Sequence, residues 1–594
     1  MSPKTRKTEY VSLFSQCSTE RNQRMEIEKV IITGFRNYAK ATVNLQSKTL
    51  LIGANDSGKT NFVYALRLLL DKSLSESDLE PSESDFHISK KGLQNEELSI
   101  EVHFKEITED AVLSVLKGNV SSEGKSVLRY EADRKTLDYT LKSGTDEKHL
   151  STINSRFYLK YLNLKYVKSS RDLEKFVNLE KRHLLKLSQE LRSTEEVEAD
   201  QKQLETIEEN LDTINGLVSK LHYVNNATNA VNEELLKLSH DLTNYSVHLD
   251  SGAIQTQQFI DNLRLGASTA GSKISLGGDG RNNQILMALW KAKSQREYDP
   301  ESEVIFYCVE EPEAHLHPHQ QRKLADYLIK DLPGQTIITS HSPQITARYS
   351  PHAIVHILNS INGSYAASEG CSDCISSEWD KLGYRMSILP AEAFFSKCVF
   401  LVEGPSELLF YNELAKQIGI DLDYYNISIL NVEGIQFKVY TQILDAMEIP
   451  WVIRTDNDIS AITVQKTELR NPAGINRCLS LARKEKMAYM PIDATQQSVY
   501  ESGIWTKVNE VVNPHGIYLA KIDLETDLCE EFPTQLQTFS NTTDLATAIN
   551  FLQGKKAIRM RAFLSQHCSA LASAELGLLA KPLHHCVAKV EGLI

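Results

Sequence analysis

The sequence predicts an α/β protein in which two separate alternations of strand and helix are joined through a long helical stretch. Three observations carry this prediction. Gly53 to Thr60 fits the pattern G-x-x-x-x-G-K-[ST] directly after the apolar run Thr49-Leu50-Leu51-Ile52. Between Tyr166 and Asp250 the chain has no proline, a single glycine (Gly216), and abundant leucine, glutamate, lysine and asparagine. From about Pro390 apolar strands resume, and two of them run into acids at Glu403 and at Asp456-Asn457-Asp458.

The length of 594 residues exceeds one ordinary core and implies two or three domains. A hydrophobic content of 41% and a charged content of 24% describe a globular chain. No apolar run approaches the roughly 18 residues of a membrane helix. Residues 1–24 are polar and basic without an apolar stretch, which excludes a signal peptide and reads as a flexible extension. Nine scattered cysteines point to a reducing cytoplasm rather than a disulfide scaffold. Cys371 and Cys374 share a loop, and only the distant His584-His585-Cys586 offers to complete a zinc set with them; two free thiols are the expectation. The net charge of −13 disfavours nucleic acid as a partner in total, although a local basic groove is compatible with it, and acids that bind metals count as negative in the tally.

Each element follows in order. Glu26 to Ile32 alternates as a strand and Thr42 to Leu45 reads as its partner. Arg36 and Asn37, in the turn between them, approach the nucleotide or form a surface turn. In the P-loop, Gly53, Asn55, Ser57 and Gly58 let backbone N–H groups close on phosphates, Lys59 reaches the β/γ-phosphates, and Thr60 offers a hydroxyl to Mg²⁺. The apolar helix from Lys59 to Leu70 adds its positive end. A Ser/Glu/Asp-rich loop, Ser73 to Ser84, precedes the strand Leu98 to Phe104. In the helical stretch, Leu204, Ile207, Leu211, Ile214, Leu217 and Leu221 recur at three- and four-residue steps. That stripe reads as a coiled-coil hairpin, a dimer surface, or a subdomain packed on its own sheet.

The glycine-rich Ser275-Leu276-Gly277-Gly278 offers donors to a phosphate held by a second subunit. The strand Val304 to Val309 ends in Glu310-Glu311, with Glu310 suited to hold a metal through water and Glu311 to polarise a nucleophile. The strand Thr336 to Thr339 ends at His341, within reach of a γ-phosphate. With the P-loop, these elements resemble the ABC-type ATPases of the RecF/SMC/Rad50 group. Gly53 to Thr60 match Walker A, Glu310 and Glu311 match Walker B and the catalytic glutamate, and His341 matches the switch histidine. Ala314 to Pro318 falls where the D-loop follows, so His315, His317 and His319 belong to that loop and the next helix start. The chain departs from the family in having Glu-Glu where Walker B has Asp-Glu. It also has Ser275 before Leu276, where the signature reads L-S-G-G-Q.

In the second alternation the strand Lys397 to Val402 runs into Glu403-Gly404-Pro405-Ser406-Glu407 and a helix to Lys416, with Pro405 suited to its first turn. The strands Ile427 to Asn431 and Pro450 to Arg454 follow, the latter leading to Asp456 and Asp458. Strand ends of a parallel sheet line one edge, so Glu403, Glu407, Asp456 and Asp458 converge. Two carboxylates about 4 Å apart repel by about 4 kcal/mol at an effective dielectric of 20, so the cluster calls for protonation or for hard cations such as Mg²⁺ or Mn²⁺.

Glu403-Gly404 and Asp456-x-Asp458 resemble the motifs of a Toprim domain, and an ABC ATPase followed by Toprim resembles the OLD (overcoming lysogenization defect) endonucleases. That family includes relatives acting in antiphage defence, the Gabija nuclease subunit and retron-associated effectors among them. The resemblance implies a further acidic motif, matched by Asp523 and Glu525, and a basic residue some thirty positions on, for which Lys555 or Lys556 fits. It implies an ATP-binding, divalent-metal-dependent DNA endonuclease with two metals held by Glu403, Glu407, Asp456, Asp458, Asp523 and Glu525. The implied division is an extension (1–24), an ATPase in two parts (25–165 and 251–389), a helical, dimerising insertion (166–250), and Toprim with C-terminal helices (390–594). Implied partners are DNA, a second copy of the chain, and a helicase-like protein or a retron reverse transcriptase with its RNA–DNA product. A topoisomerase or primase, or an SMC-like scaffold with a degenerate second half, are the rival readings.

Overall fold

A computed structural model describes residues 25–594 apart from 90, 169–172, 239–266, 270–271, 275–284, 286–287, 290–302, 315, 333, 372–390, 433, 435–436 and 594. The strands of the first half are β1 (Glu26–Phe35), β2 (Tyr38–Asn44), β3 (Lys48–Ile52), β4 (Glu97–Lys105), β5 (Ser126–Asp133), β6 (Tyr139–Gly144), β7 (Leu150–Ile153) and β8 (Leu162–Val167). After the short hairpin β9 (Ala267–Thr269) and β10 (Ser272–Ile274) come β11 (Val304–Glu310), β12 (Thr336–Thr339), β13 (Ile354–Ser360) and β14 (Gly363–Ala366).

These form two layers around the P-loop helix, Lys59–Leu70. One is an antiparallel sheet of order β2-β1-β4-β5-β6-β7. The other has order β14-β13-β3-β12-β11-β8 and is parallel except at β14. Phe62, Val63, Leu66 and Leu69 of the helix are buried between them, in one cluster with Val30, Ile100 and Leu128 of the first sheet and Phe306, Cys308 and Ile337 of the second. The alternation of β1 places Ile27, Val30 and Ile32 on the inner face, whereas β11 is buried along its whole length because both faces are covered.

Helices span Leu173–Glu190, Thr194–Ser219 and His222–Leu238. Ser193 caps the second of these by accepting from Glu196 N–H at 3.3 Å. On their surface Leu191, Ile214, Leu217, Leu221 and Tyr223 are exposed.

The second half carries β15 (Cys398–Val402), β16 (Ile427–Asn431), β17 (Trp451–Thr455), the hairpin β18 (Ser460–Val464) and β19 (Thr467–Asn471), and β20 (Ile517–Leu519). Its sheet is wholly parallel, of order β16-β15-β17-β20. One face packs on the first half. Leu50, Ile52, Ile305 and Val309 share a hydrophobic cluster with Val399, Leu401, Leu430 and Ile443. His356 in β13 bonds through Nδ1 to the Met447 carbonyl at 2.9 Å, and Glu448 accepts from the Tyr365 hydroxyl at 2.9 Å. The other face is covered by the helices Pro405–Gln417, Leu524–Glu531, Lys556–His567 and Lys581–Glu591.

Candidate functional site

The first site lies where β3, β12 and β11 end side by side. Gly53 has φ 150° and a Cβ there would lie 2.4 Å from the Ile357 carbonyl, so only glycine lets the loop pass this strand. Lys59 folds back over the loop and donates to the Gly53 and Ala54 carbonyls at 2.9 and 2.8 Å. Burial lowers the pKa of its ammonium, and Glu311, Asp56, Glu313 and Glu310 oppose that shift. At the tip of β11, Glu310 is buried, accepts from the Tyr166 hydroxyl, and keeps Oε1 without a hydrogen-bond partner. Glu311 takes φ 42°, a backbone conformation costly for a side-chain-bearing residue, and its N–H is held by the Thr339 carbonyl at 2.9 Å. Its carboxylate stands 3.4 Å from His341 Nε2. The His341 imidazole is held below its usual pKa by burial and by the Lys59 charge, with Glu311 acting the other way.

Arg36 and Asn37 also meet the P-loop, as braces. Asn37 Nδ2 donates to the Ser57 carbonyl at 3.2 Å and to Ser364 Oγ at 2.6 Å, and the Tyr38 hydroxyl donates to the Gly58 carbonyl at 3.0 Å. Arg36 pairs with Asp85 at 2.8 Å, donates to Asn61 at 3.0 Å, and stacks on the Tyr64 ring at 4.3 Å. Its guanidinium is thereby committed within the protein. Asn55 and Thr60 are exposed at the loop and helix start, while Ser57 is buried. Ser275, Gly277 and Gly278 lie outside the described residues, as do His315 and Cys374.

The second site gathers the acids at the carboxyl edge of the parallel sheet in the second half. Glu403, just past β15, accepts through Oε1 from the Asp456 N–H at 2.9 Å and from the Thr455 hydroxyl and Arg477. Glu407 sits one turn inside the next helix and is nearly fully buried. Its Oε2 accepts from the Glu403 and Gly404 N–H groups at 2.6 and 3.1 Å, and its Oε1 from Arg454 at 2.9 Å. Glu407 therefore ties the Glu403 turn in place.

Asp456 is mostly buried, and its Oδ1 has no hydrogen-bond partner, with Arg454 3.9 Å away. Burial first, and then the Glu407 and Glu403 charges, push its carboxyl up to about 8, against Arg454 and Lys556. Burial pushes Glu407 up to about 7, Arg454 opposing and the Glu403 charge adding. Asp458 reaches Arg477 at 2.5 Å.

Asp523 and Glu525 arrive on the turn after β20. Asp523 caps the helix Leu524–Glu531, accepting from the Thr526 N–H at 2.9 Å, and its second oxygen accepts from Gln553 at 2.7 Å. Glu525 is 1% exposed and pairs with Lys556 at 3.2 Å. Burial works to lower the Lys556 pKa, but Glu525, Asp456 and Asp523 outweigh it and raise it. Lys555 and Lys556 are both exposed, but Lys555 makes no side-chain ion pair or hydrogen bond among the described residues, whereas Lys556 pairs with Glu525.

A buried carboxylate oxygen with nothing to accept from, among acids held near neutrality, fits a hard divalent cation. Three participants escaped the sequence reading. Arg454 lies in β17 among apolar neighbours, is 2% exposed, and bridges Glu407 to Asp527, the latter at 2.7 Å. Its charge inside an apolar strand was the available signal. Arg477 and Tyr166 gave no comparable signal, since their roles depend on tertiary contacts.

Two folded units with these sites define a P-loop ATPase joined to a Toprim domain. The AAA ATPase domain model matches residues 25–239 and 183–346, more than half of the chain, which belongs to that family. The model for the overcoming lysogenization defect protein-like TOPRIM domain matches residues 394–458. The chain is 26% identical over 565 residues to Endonuclease GajA of Bacillus cereus (strain VD045), covering 90% of this chain and 94% of that protein. It is 23% identical over 467 residues to Old nuclease of Escherichia phage P2, covering 73% and 77%. The crystal structure of an SmcHead bound to the C-winged helix domain of ScpA aligns with a TM-score of 0.37 and 18% identity, over 57% of this chain and 96% of that one.

Proposed function

We propose that the chain is an ATP-dependent DNA endonuclease of the OLD family, using Mg²⁺ or Mn²⁺ and serving as an effector of antiphage defence. The observation that carries this reading is the unpartnered, buried Asp456 Oδ1 between Glu403 and the Glu525–Lys556 pair, on the carboxyl edge of a parallel sheet. Glu403, Glu407, Asp456, Asp458, Asp523 and Glu525 are the candidate metal holders. A divalent ion there would supply positive charge to the scissile phosphate and acidify a water.

The residues of the chain do the rest. Glu407 and Arg454 fix the Glu403 turn and the Asp456 strand end relative to each other, so the acids are placed before substrate arrives. Lys556 brings an ammonium to the same pocket, where it would stabilise charge developing on the phosphate or the leaving oxygen. In the ATPase half Lys59 and the P-loop amides would hold phosphate, Glu310 a metal-bound water, and Glu311 with His341 the attacking water.

The exposed apolar residues of the helices Thr194–Ser219 and His222–Leu238 suit a second copy of the chain. Dimerisation would also bring Gly277 and Gly278 to a partner's nucleotide. Among the described residues no helix is long and apolar enough to cross a membrane, which accords with a cytoplasmic setting. A plasmid-cleavage assay with and without ATP, Mg²⁺ and Mn²⁺ tests the reading. Cleavage needing a divalent ion and lost in Asp456→Ala, with ATP hydrolysis retained, is the expected result. Wild-type nicking by Asp456→Ala would refute it.

A further inference from the structure

Arg477 stands where the sequence reading expects metal. One arm of its guanidinium donates to Glu403, at the end of β15, and the other meets Asp458 Oδ2 at 2.5 Å, beyond the end of β17. The first arm also reaches the Thr455 hydroxyl. The side chain is only 10% exposed.

Its position is built in. Arg477 belongs to the helix Ala473–Leu481, whose Ile475 and Cys478 are buried in a cluster with Val499, Val512, Ile517 and Leu519. The start of that helix is pressed onto the acidic loop. A Cβ at Gly474 would lie 2.4 Å from the Asp456 carbonyl and 2.7 Å from the Asp458 nitrogen, and Gly474 N–H donates to the Asp458 carbonyl at 3.0 Å. Three residues on, Arg477 rises from the same helix face and returns over the loop.

We propose that the Arg477 guanidinium takes the place of a divalent cation between Glu403 and Asp458, so that this pocket loads one ion, at Asp456, rather than two. The inference rests on the metal-dependent reading of the pocket. Two carboxylates brought to one small region need a cation between them, because their repulsion at close range is several kcal/mol, on the order of 4 at an effective dielectric of 20. Arginine keeps its charge at every working pH, and its planar fork fits two acceptors at once. A second metal in the same place would meet a positive charge and one oxygen of each carboxylate already bonded to it. Asp456 Oδ1 is a buried carboxylate oxygen without a donor, and Arg477 does not touch it.

The test is the number of Mn²⁺ ions bound by the full-length chain without nucleotide, read from the free-ion electron paramagnetic resonance signal. The Asp456→Ala/Asp458→Ala double variant measures ions bound elsewhere. The expected result is one ion per chain above that background for wild type and two for Arg477→Gln, with Arg477→Lys remaining at one. Two ions in wild type overturn the proposal whatever the fate of the variants, and so does a folded Arg477→Gln protein that gains none. Should wild type and the double variant bind equal numbers, the metal reading of the pocket itself fails, and this inference with it.

Discussion

Arg454 donates to Glu407 at 2.9 Å from the strand that leads into Asp456, and its other arm reaches Asp527 at 2.7 Å. One buried guanidinium thus links the turn after β15, the end of β17 and the helix after β20. Removing it would leave Glu407 and Asp527 buried without their counter-charge. Arg454→Met is expected to cost about 3–5 kcal/mol, and Arg454→Lys to recover only part of it, because an ammonium does not span two carboxylates as a planar fork does. Urea melts of the metal-free proteins measure both.

Lys556 and Lys555 separate by position. Lys556→Ala is expected to reduce DNA cleavage severely while Mn²⁺ affinity is kept, since its ammonium contributes to rate. Lys555→Ala should stay near wild type. Single-turnover cleavage alongside Mn²⁺ titration checks the pair, and equal losses in both would remove Lys556 from the site.

The nucleotide half gives its own contrast. Lys59→Ala is expected to lose nucleotide affinity with the phosphate-facing charge. Glu311→Gln should bind ATP and hydrolyse it slowly, because the water loses its orienting carboxylate. Fluorescent-nucleotide binding and phosphate release distinguish them; unchanged turnover in Glu311→Gln would displace that residue from its assigned role.

The pH dependence follows from Glu407 and Asp456, pushed up to about 7 and about 8 by burial and by their acidic neighbours. Both lie above their unfolded values, so the folded chain binds more protons than the unfolded one between about pH 4 and 8. Stability of the metal-free protein should therefore fall as pH rises through that window. A divalent ion competes with those protons, so the melting-temperature gain from Mn²⁺ should grow over the same range. Asp456→Asn should flatten the metal-free profile and abolish most of the gain.

Much of this was legible in local sequence because local sequence fixes it. The P-loop is defined by its own glycines, and apolar strands ending in acids announce carboxylates on the edge of a parallel sheet. Glu403 accepts from the Asp456 N–H there, as two strand ends on one edge imply, whereas Asp523 and Glu525 were suggested only by the family resemblance. What sequence did not reveal depends on residues distant in the chain. The assignment of Glu407 to a bracing role follows from Arg454, 47 positions away. Lys556 rather than Lys555 faces Glu525 because of how the helix Lys556–His567 is turned, and one residue of helical rotation is about a hundred degrees. Sequence leaves Arg36 as either a nucleotide contact or a surface turn, and the contacts with Asp85 and Asn61 that hold its side chain come from tertiary structure.

The hydrophobic cluster that joins β3 and β11 to β15 and β16 makes the two enzymatic halves poor candidates for separation. A fragment starting near Ala391 would present Val399, Leu401 and Ile443 to water, and the complementary fragment would bare Leu50, Ile52 and Ile305. Exchange of nuclease halves between relatives would then succeed only where the matching faces travel together. The ATPase in this protein is as much a scaffold without which the nuclease half lacks one wall as it is a motor beside it.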